Sequence, residues 1–162
     1  MPINSPNKNR IVIAKGDSGA THHYIRPQDE DCLKNRKPNT TIKVTLPNAQ
    51  AISSTTQGDL SLHKSISKQG RNAIILPQLQ SSSLISLGQL CDDDCQVHLD
   101  KKKLKVYKNK EIILRGIRNR RDGLWDMLLH QPLKEDNYIK PTTHAALCGI
   151  TKKICPIISL IM

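Results

Sequence analysis

Apolar residues in this chain come in short runs, most of them too brief for a helix and several strictly alternating with polar positions. Residues 10–16 form a compact apolar run closed by glycine, the pattern of a strand buried on both faces. Residues 26–40 hold two prolines, several charges and little periodicity, which predicts a surface connection. Beyond Thr41, Ile42, Val44 and Leu46 alternate with Lys43 and Thr45, giving a strand with one apolar face. Pro47-Asn48 breaks that run as a turn does, and residues 52–62 resume it, so a hairpin is predicted here. A short strand over 73–76 ends at Pro77, and 84–90 follow a serine triplet as a turn entering a short helix. Strand-like runs at 96–99, 103–107 and 112–117 are punctuated by turns at Lys108-Asn109 and 119–123. Six or more short strands with weak helical periodicity predict an all-β domain, a small barrel or a sandwich. Residues 1–9 read as a flexible leader, and 130–162 as an extension with a loop, a short helix at 142–150 and an apolar tail.

The chain has 162 residues, room for one domain of ordinary size. Its core formers are aliphatic, with 19 Ile, 18 Leu and 4 Val against no Phe, one Trp and three Tyr. An aromatic platform for stacking nucleic-acid bases therefore lacks its material. No run reaches the roughly 18 apolar residues of a membrane span, so no membrane is expected as a partner. Five cysteines at irregular spacing suit free thiols in a reducing compartment better than a disulfide framework.

Asp17-Ser18-Gly19 follows the first apolar run directly. An aspartate at a rigid strand end, beside a small hydroxyl residue and a glycine, is what hydrolysis by a carboxylate dyad requires. Two carboxylates about 3 Å apart share one proton, so that one activates water while the other polarises the scissile carbonyl. Gly lets backbone N–H groups approach the carboxylates. The same triplet also makes an ordinary turn.

The context is more specific. Gly16-Asp-Ser-Gly-Ala-Thr-His-His23 comes first, then Leu46-Pro-Asn-Ala-Gln50 leading to Gly58-Asp-Leu60. Leu76-Pro77 with Leu84-Ile-Ser-Leu-Gly-Gln-Leu-Cys91 follows, and last Gly116-Ile-Arg118 with Gly123-Leu-Trp-Asp126. In these stretches and their order, 11–129 resembles the retropepsin-like protease segment of copia-type retrotransposon polyproteins. The resemblance implies a small closed retropepsin-like barrel over residues 10–129, with a flap hairpin and one short helix. It implies an aspartic endopeptidase that needs no cofactor or metal, with Asp17, Ser18 and Gly19 as the catalytic triplet. Ala20 and Thr21, with Pro47, Asn48, Ala49 and Gln50 of the flap, would meet the polyprotein substrate. Since the chain holds a single Asp-[Ser/Thr]-Gly, the second aspartate must come from another copy, in a two-fold homodimer. A cytoplasmic retroelement particle would be its place of action. Relatives commonly carry Asn-Gly at the flap turn, and Asn48-Ala49 here predicts strain or another turn type. Relatives also continue into integrase, so a fragment or an inactive relic of the element is expected as well.

Other residues offer rival chemistry. His22 and His23 are expected to face solvent in the loop after the triplet, because a carboxylate dyad needs no imidazole. Cys91-x3-Cys95 with His98, or His144-x3-Cys148 with Cys155, lacks the tight pairs of structural zinc sites. Asp92-Asp93-Asp94 reads as a solvated turn rather than a calcium loop. Between Lys101 and Arg121 lie ten Lys/Arg and one acid, +9 of the chain's +11. Lys101, Lys102, Lys103, Lys105, Arg118, Arg120 and Arg121 could attract RNA or DNA phosphates without regard to sequence. Yet Leu104, Val106, Ile112 and Leu114 sit two apart, as in a hairpin with one buried face, so the charges also suit its solvated side.

Overall fold

A computed structural model describes residues 11–129. The predicted leader, Arg10 and the extension at 130–162 lie outside the described residues. The described chain is all-β, with twelve short strands: β1 (Val12–Asp17), β2 (His23–Ile25), β3 (Leu33–Pro38), β4 (Lys43–Thr45), β5 (Ala51–Ser53) and β6 (Thr56–Leu60). These are followed by β7 (Asn72–Ile75), β8 (Ser83–Ser86), β9 (Gln96–Leu99), β10 (Lys103–Lys108), β11 (Glu111–Arg118) and β12 (Trp125–Leu129). In place of the one expected helix there are two, α1 (Lys68–Arg71) and α2 (Leu87–Asp92), plus a 3-10 helix at Pro27–Cys32.

Ten strands form one mixed sheet in the order β3-β6-β7-β2-β8-β1-β12-β11-β10-β9, while β4 and β5 make a separate hairpin. The expected closed barrel is corrected: β3 and β9 are the ends of an open sheet. The reason lies at the β3 edge. Five of its six residues are exposed, among them Lys34, Arg36, Lys37 and Pro38. Its pairing with β6 shifts register between Lys34 and Lys37, where Asn35 takes a φ of 51°. Charge, proline and a bulge are the features that keep a strand edge from pairing further. This also corrects 26–40, which is a helical turn and an edge strand rather than a plain connection.

β1 lies at the middle of the sheet, antiparallel to β12 (Gly16↔Trp125) and parallel to β8 (Asp17↔Ser86). Val12 and Ala14 are buried in the main core with Ile25, Leu60, Ile85, Leu90, Leu104, Val106 and Met127. Ile11 and Ile13 remain 61% and 49% exposed, so β1 is buried on one face, not both. At Gly16 an added Cβ would come within 2.9 Å of Leu104 Cδ1 and 3.2 Å of Met127 Sδ, so glycine lets the strand press onto the core just before Asp17. The predicted run 52–62 bends at Ser54, whose hydroxyl donates to the Asn39 carbonyl at 2.6 Å; β5 joins the hairpin and β6 the main sheet.

A second polar anchor fastens the Pro27–Cys32 turn. The fully buried Asp29 carboxylate accepts from Arg26 Nε (2.8 Å) and Nη2 (3.1 Å) and from the Ser83 hydroxyl (2.7 Å). Arg26 thus ties the end of β2 to the start of β8. Among the described residues no helix is long and apolar enough to cross a membrane.

Candidate active site

Asp17 is the last residue of β1, half-buried, in register with Ser86 at the end of the parallel strand β8. Its Oδ1 accepts the backbone N–H of Gly19 at 2.7 Å, which fixes the carboxylate's orientation. A Cβ at Gly19 would lie 3.3 Å from that same oxygen, so glycine is what allows the approach. Ser18 is exposed, and its hydroxyl makes no hydrogen bond among the described residues.

Below the loop sits a set of polar groups. Ser86 is the N-cap of α2, its Oγ accepting the Gln89 N–H at 3.0 Å and donating to the Ala20 carbonyl at 2.6 Å. His23, fully buried, accepts the Ser86 N–H through Nδ1 at 2.9 Å and lies 2.8 Å from the Gly70 carbonyl through Nε2. Gln89 closes the frame: its Oε1 accepts the His23 N–H, and its Nε2 donates to the Gln69 and Asn72 carbonyls. The loop after Asp17 is therefore held from β8, from α2 and from α1. His23 corrects the expectation of two solvent-facing histidines; only His22 keeps partial exposure. Desolvation is the largest influence on His23 and pushes its pKa down to about 4.

Thr21 is exposed but not idle. Its hydroxyl sits 2.8 Å from the Tyr24 hydroxyl and 3.1 Å from His22 Nδ1. Ala20 is buried with Tyr24, Ile52, Ile74 and Leu76, and Ile42, Val44 and Leu46 pack against this cluster. The apolar face of the β4–β5 hairpin thus belongs to the same small core as Ala20 and Tyr24. The hairpin pairs Val44 with Ile52 and Thr45 with Ala51. At its tip Ala49 N donates to the Leu46 carbonyl at 2.9 Å and Leu46 N to the Gln50 carbonyl at 2.8 Å. Within this tip only Ala49 has positive φ (66°), so Pro47-Asn48 is not a primed turn. Another turn type is present, with alanine in the left-handed position that glycine favours. Pro47, Asn48, Ala49 and Gln50 are all exposed.

The structure joins Asp17, Gly19 and Ala20 in one loop and puts Ala20 in the same core cluster as the hairpin's apolar residues. Sequence reading missed His23, Ser86, Gln89 and Asp29. The signal for two of them was Ser86 followed by Gln89, the spacing of a helix capping box.

The other candidates fall elsewhere. Asp93 is no solvated turn residue: it holds Lys108 Nζ at 2.6 Å and accepts the Ser67 N–H at 3.0 Å. Cys91 is exposed and Cys95 buried. Among the described residues no three His, Cys, Asp or Glu side chains gather as metal ligands do. The basic set divides. Lys101, Lys102, Lys103, Arg118 and Arg120 line one groove, Lys105 is half-buried in β10, and Arg121 is exposed outside the groove. Compared with known protein families, curated proteins and solved structures, the chain matches none.

Proposed function

We propose that this chain is the aspartic endopeptidase domain of a copia-type retrotransposon polyprotein, a retropepsin-like enzyme that cuts that polyprotein as a homodimer in a cytoplasmic element particle. The observation that supports this reading is the setting of Asp17. One carboxylate stands at a strand end in a loop pinned by the α2 cap, with an apolar hairpin sharing a small core with Ala20 and Tyr24.

One chain supplies half of a dyad. Across the two-fold axis the two Asp17 carboxylates share a proton. The ionised carboxylate takes a proton from water, whose oxygen attacks the scissile carbonyl carbon while the protonated one donates to the carbonyl oxygen. The tetrahedral diol collapses as the amide nitrogen is protonated and the C–N bond breaks. The Gly19 N–H holds the carboxylate in place through these steps, and the exposed tips at Pro47–Gln50 cover the extended substrate.

The test is cleavage of a fluorogenic peptide library between pH 4 and 7, wild type beside Asp17→Asn, with sedimentation on the same samples. Asparagine keeps an acceptor for the Gly19 N–H, so the variant should melt with the wild type yet cleave nothing. Wild-type activity should follow the dimer fraction. A stable monomer that cleaves nothing at any concentration overturns the reading.

A further inference from the structure

The ten cations of the 101–121 stripe are not equivalent. At the turn end of the β10–β11 hairpin, Lys108 is ion-paired with Asp93. At the open end, Lys101, Lys102, Lys103, Arg118 and Arg120 line a single groove of about 540 Å³. No carboxylate lines it, and no ion pair reaches any of the five among the described residues. Of the acids nearest in sequence, Asp100 lies under the 101–103 turn, where it offsets part of the Lys103 charge, and Asp122 is engaged elsewhere. Asp100 Oδ1 accepts the backbone N–H groups of Lys102 and Lys103 at 2.7 and 2.8 Å. Asp122 lies 2.6 Å from Lys15, which also bonds Asp126.

Both loops that bear the cations are fixed by hydrogen bonds. Arg118 N donates to the Lys102 carbonyl at 2.8 Å, joining the two loops, and the 119–123 turn is closed by Asn119 N to the Leu124 carbonyl at 2.7 Å. The Arg118 guanidinium is itself held, with Nε on the Gly123 carbonyl at 2.9 Å and its carbon 5.1 Å over the Trp125 ring. Asp100 offsets one of these five like charges, and the repulsion left among the others on a rigid frame is relieved by anions from outside.

We infer that this groove binds the phosphate backbone of a polynucleotide without regard to base sequence. Two loops of cations suit a ligand with repeated charges better than one small anion. Among the described residues no aromatic side chain lines the groove, and the Arg118 guanidinium lies over one face of Trp125, so contacts go to phosphates rather than to stacked bases. This binding is independent of the protease reading, since Asp17 takes no part in it.

The test is fluorescence anisotropy of a labelled mixed-sequence 20-nucleotide RNA with the full chain between 50 and 200 mM salt. Three proteins are compared: wild type, the groove variant Lys101→Gln/Lys102→Gln/Lys103→Gln, and a control with equal charge loss, Lys34→Gln/Lys37→Gln/Lys64→Gln. The groove variant should bind at least about tenfold more weakly at the lowest salt, and its slope of log K against log salt should flatten by about 2, for three phosphates at ~0.7 each. The control should stay within about twofold, and all three should share one melting midpoint. Equal weakening of both variants means that net charge alone binds RNA, and it overturns the assignment. Displacement of the RNA by poly-aspartate as readily as by unlabelled RNA overturns it too, in favour of acidic peptides. Absence of RNA binding by the wild type overturns it outright.

Discussion

The imidazole of His23 and the backbone of Ser86 are hydrogen-bonded at 2.9 Å, with Nδ1 as the acceptor, and Nε2 reaches the Gly70 carbonyl on the other side. Only the neutral ring with its proton on Nε2 satisfies both partners. A proton added at Nδ1 would face the Ser86 N–H, donor against donor, and among the described residues no carboxylate is bonded to the ring to compensate.

That arrangement makes stability pH-dependent in a stated direction. The unfolded chain takes up a proton at His23 near pH 6.5, the native state only near 4, because burial opposes the charge and the neighbouring His22 adds to it. The contribution is constant above pH 6.5 and is lost as pH falls from 6.5 to 4, amounting to about 3 kcal/mol at the lower end. Urea unfolding at pH 7, 6 and 5 should show this decline. His23→Gln should be less stable at pH 7 but decline more shallowly, and an unchanged slope in that variant would assign the acid sensitivity to other groups.

Ser86 has two tasks at one oxygen, capping α2 through the Gln89 N–H and donating to the Ala20 carbonyl. Ser86→Ala removes the cap and leaves a carbonyl behind the Asp17 loop without its donor. The loss should be about 2–4 kcal/mol, summing a typical N-cap with one unsatisfied buried acceptor. Chemical denaturation measures it. On the protease reading, cleavage should fall further than the folded fraction does, because the loop that holds Asp17 is loosened as well.

Local patterns in the chain announced local structure well. Ile42, Val44 and Leu46 alternate before Pro47-Asn48 and indeed form one apolar face of a hairpin. Leu104 and Val106 are fully buried as their spacing indicates, and the helix expected within 84–90 is present, though the strand β8 stands where a turn was expected to lead into it. Long-range relations were not legible. Closure of a sheet depends on which edges pair, and β3 shows only one buried residue in six, so it reads as a connection. The burial of His23 depends on a carbonyl and an N–H that lie 47 and 63 residues away. Asp29 likewise owes its burial to Arg26 beside it and to Ser83, 54 residues on.

The β10–β11 turn offers a stabilising substitution. Lys108 pairs with Glu111 around Asn109 and Lys110, whose φ values are 51° and 70°. A two-residue turn with both central residues at positive φ favours Asn-Gly, and lysine at the second position is strained. Lys110→Gly should raise stability by about 1 kcal/mol, read as an increase in the denaturation midpoint. Asn109→Gly should gain much less, because asparagine already tolerates this conformation.

Asp29 presents the opposite case, a buried charge whose partners depend on it. Its carboxylate is fully buried, clamped by two Arg26 nitrogens and by the Ser83 hydroxyl. The hydrogen bond to Asp29 holds the Arg26 pKa above its ordinary value. Asp29→Ala leaves the Ser83 hydroxyl without its acceptor and Arg26, which is part-exposed and still donates to the Gln80 and Ser81 carbonyls, without its carboxylate, and should cost about 2–3 kcal/mol. Asp29→Asn retains one acceptor oxygen and should cost less. Replacing Arg26 and Asp29 together by Met and Leu should recover part of the loss, because the buried carboxylate and its partner then leave at once. A double-mutant cycle by urea denaturation at 0.05 and 0.5 M salt tests this. A coupling that hardly changes with salt marks a buried pair, whereas one that vanishes at high salt would place the interaction at the surface.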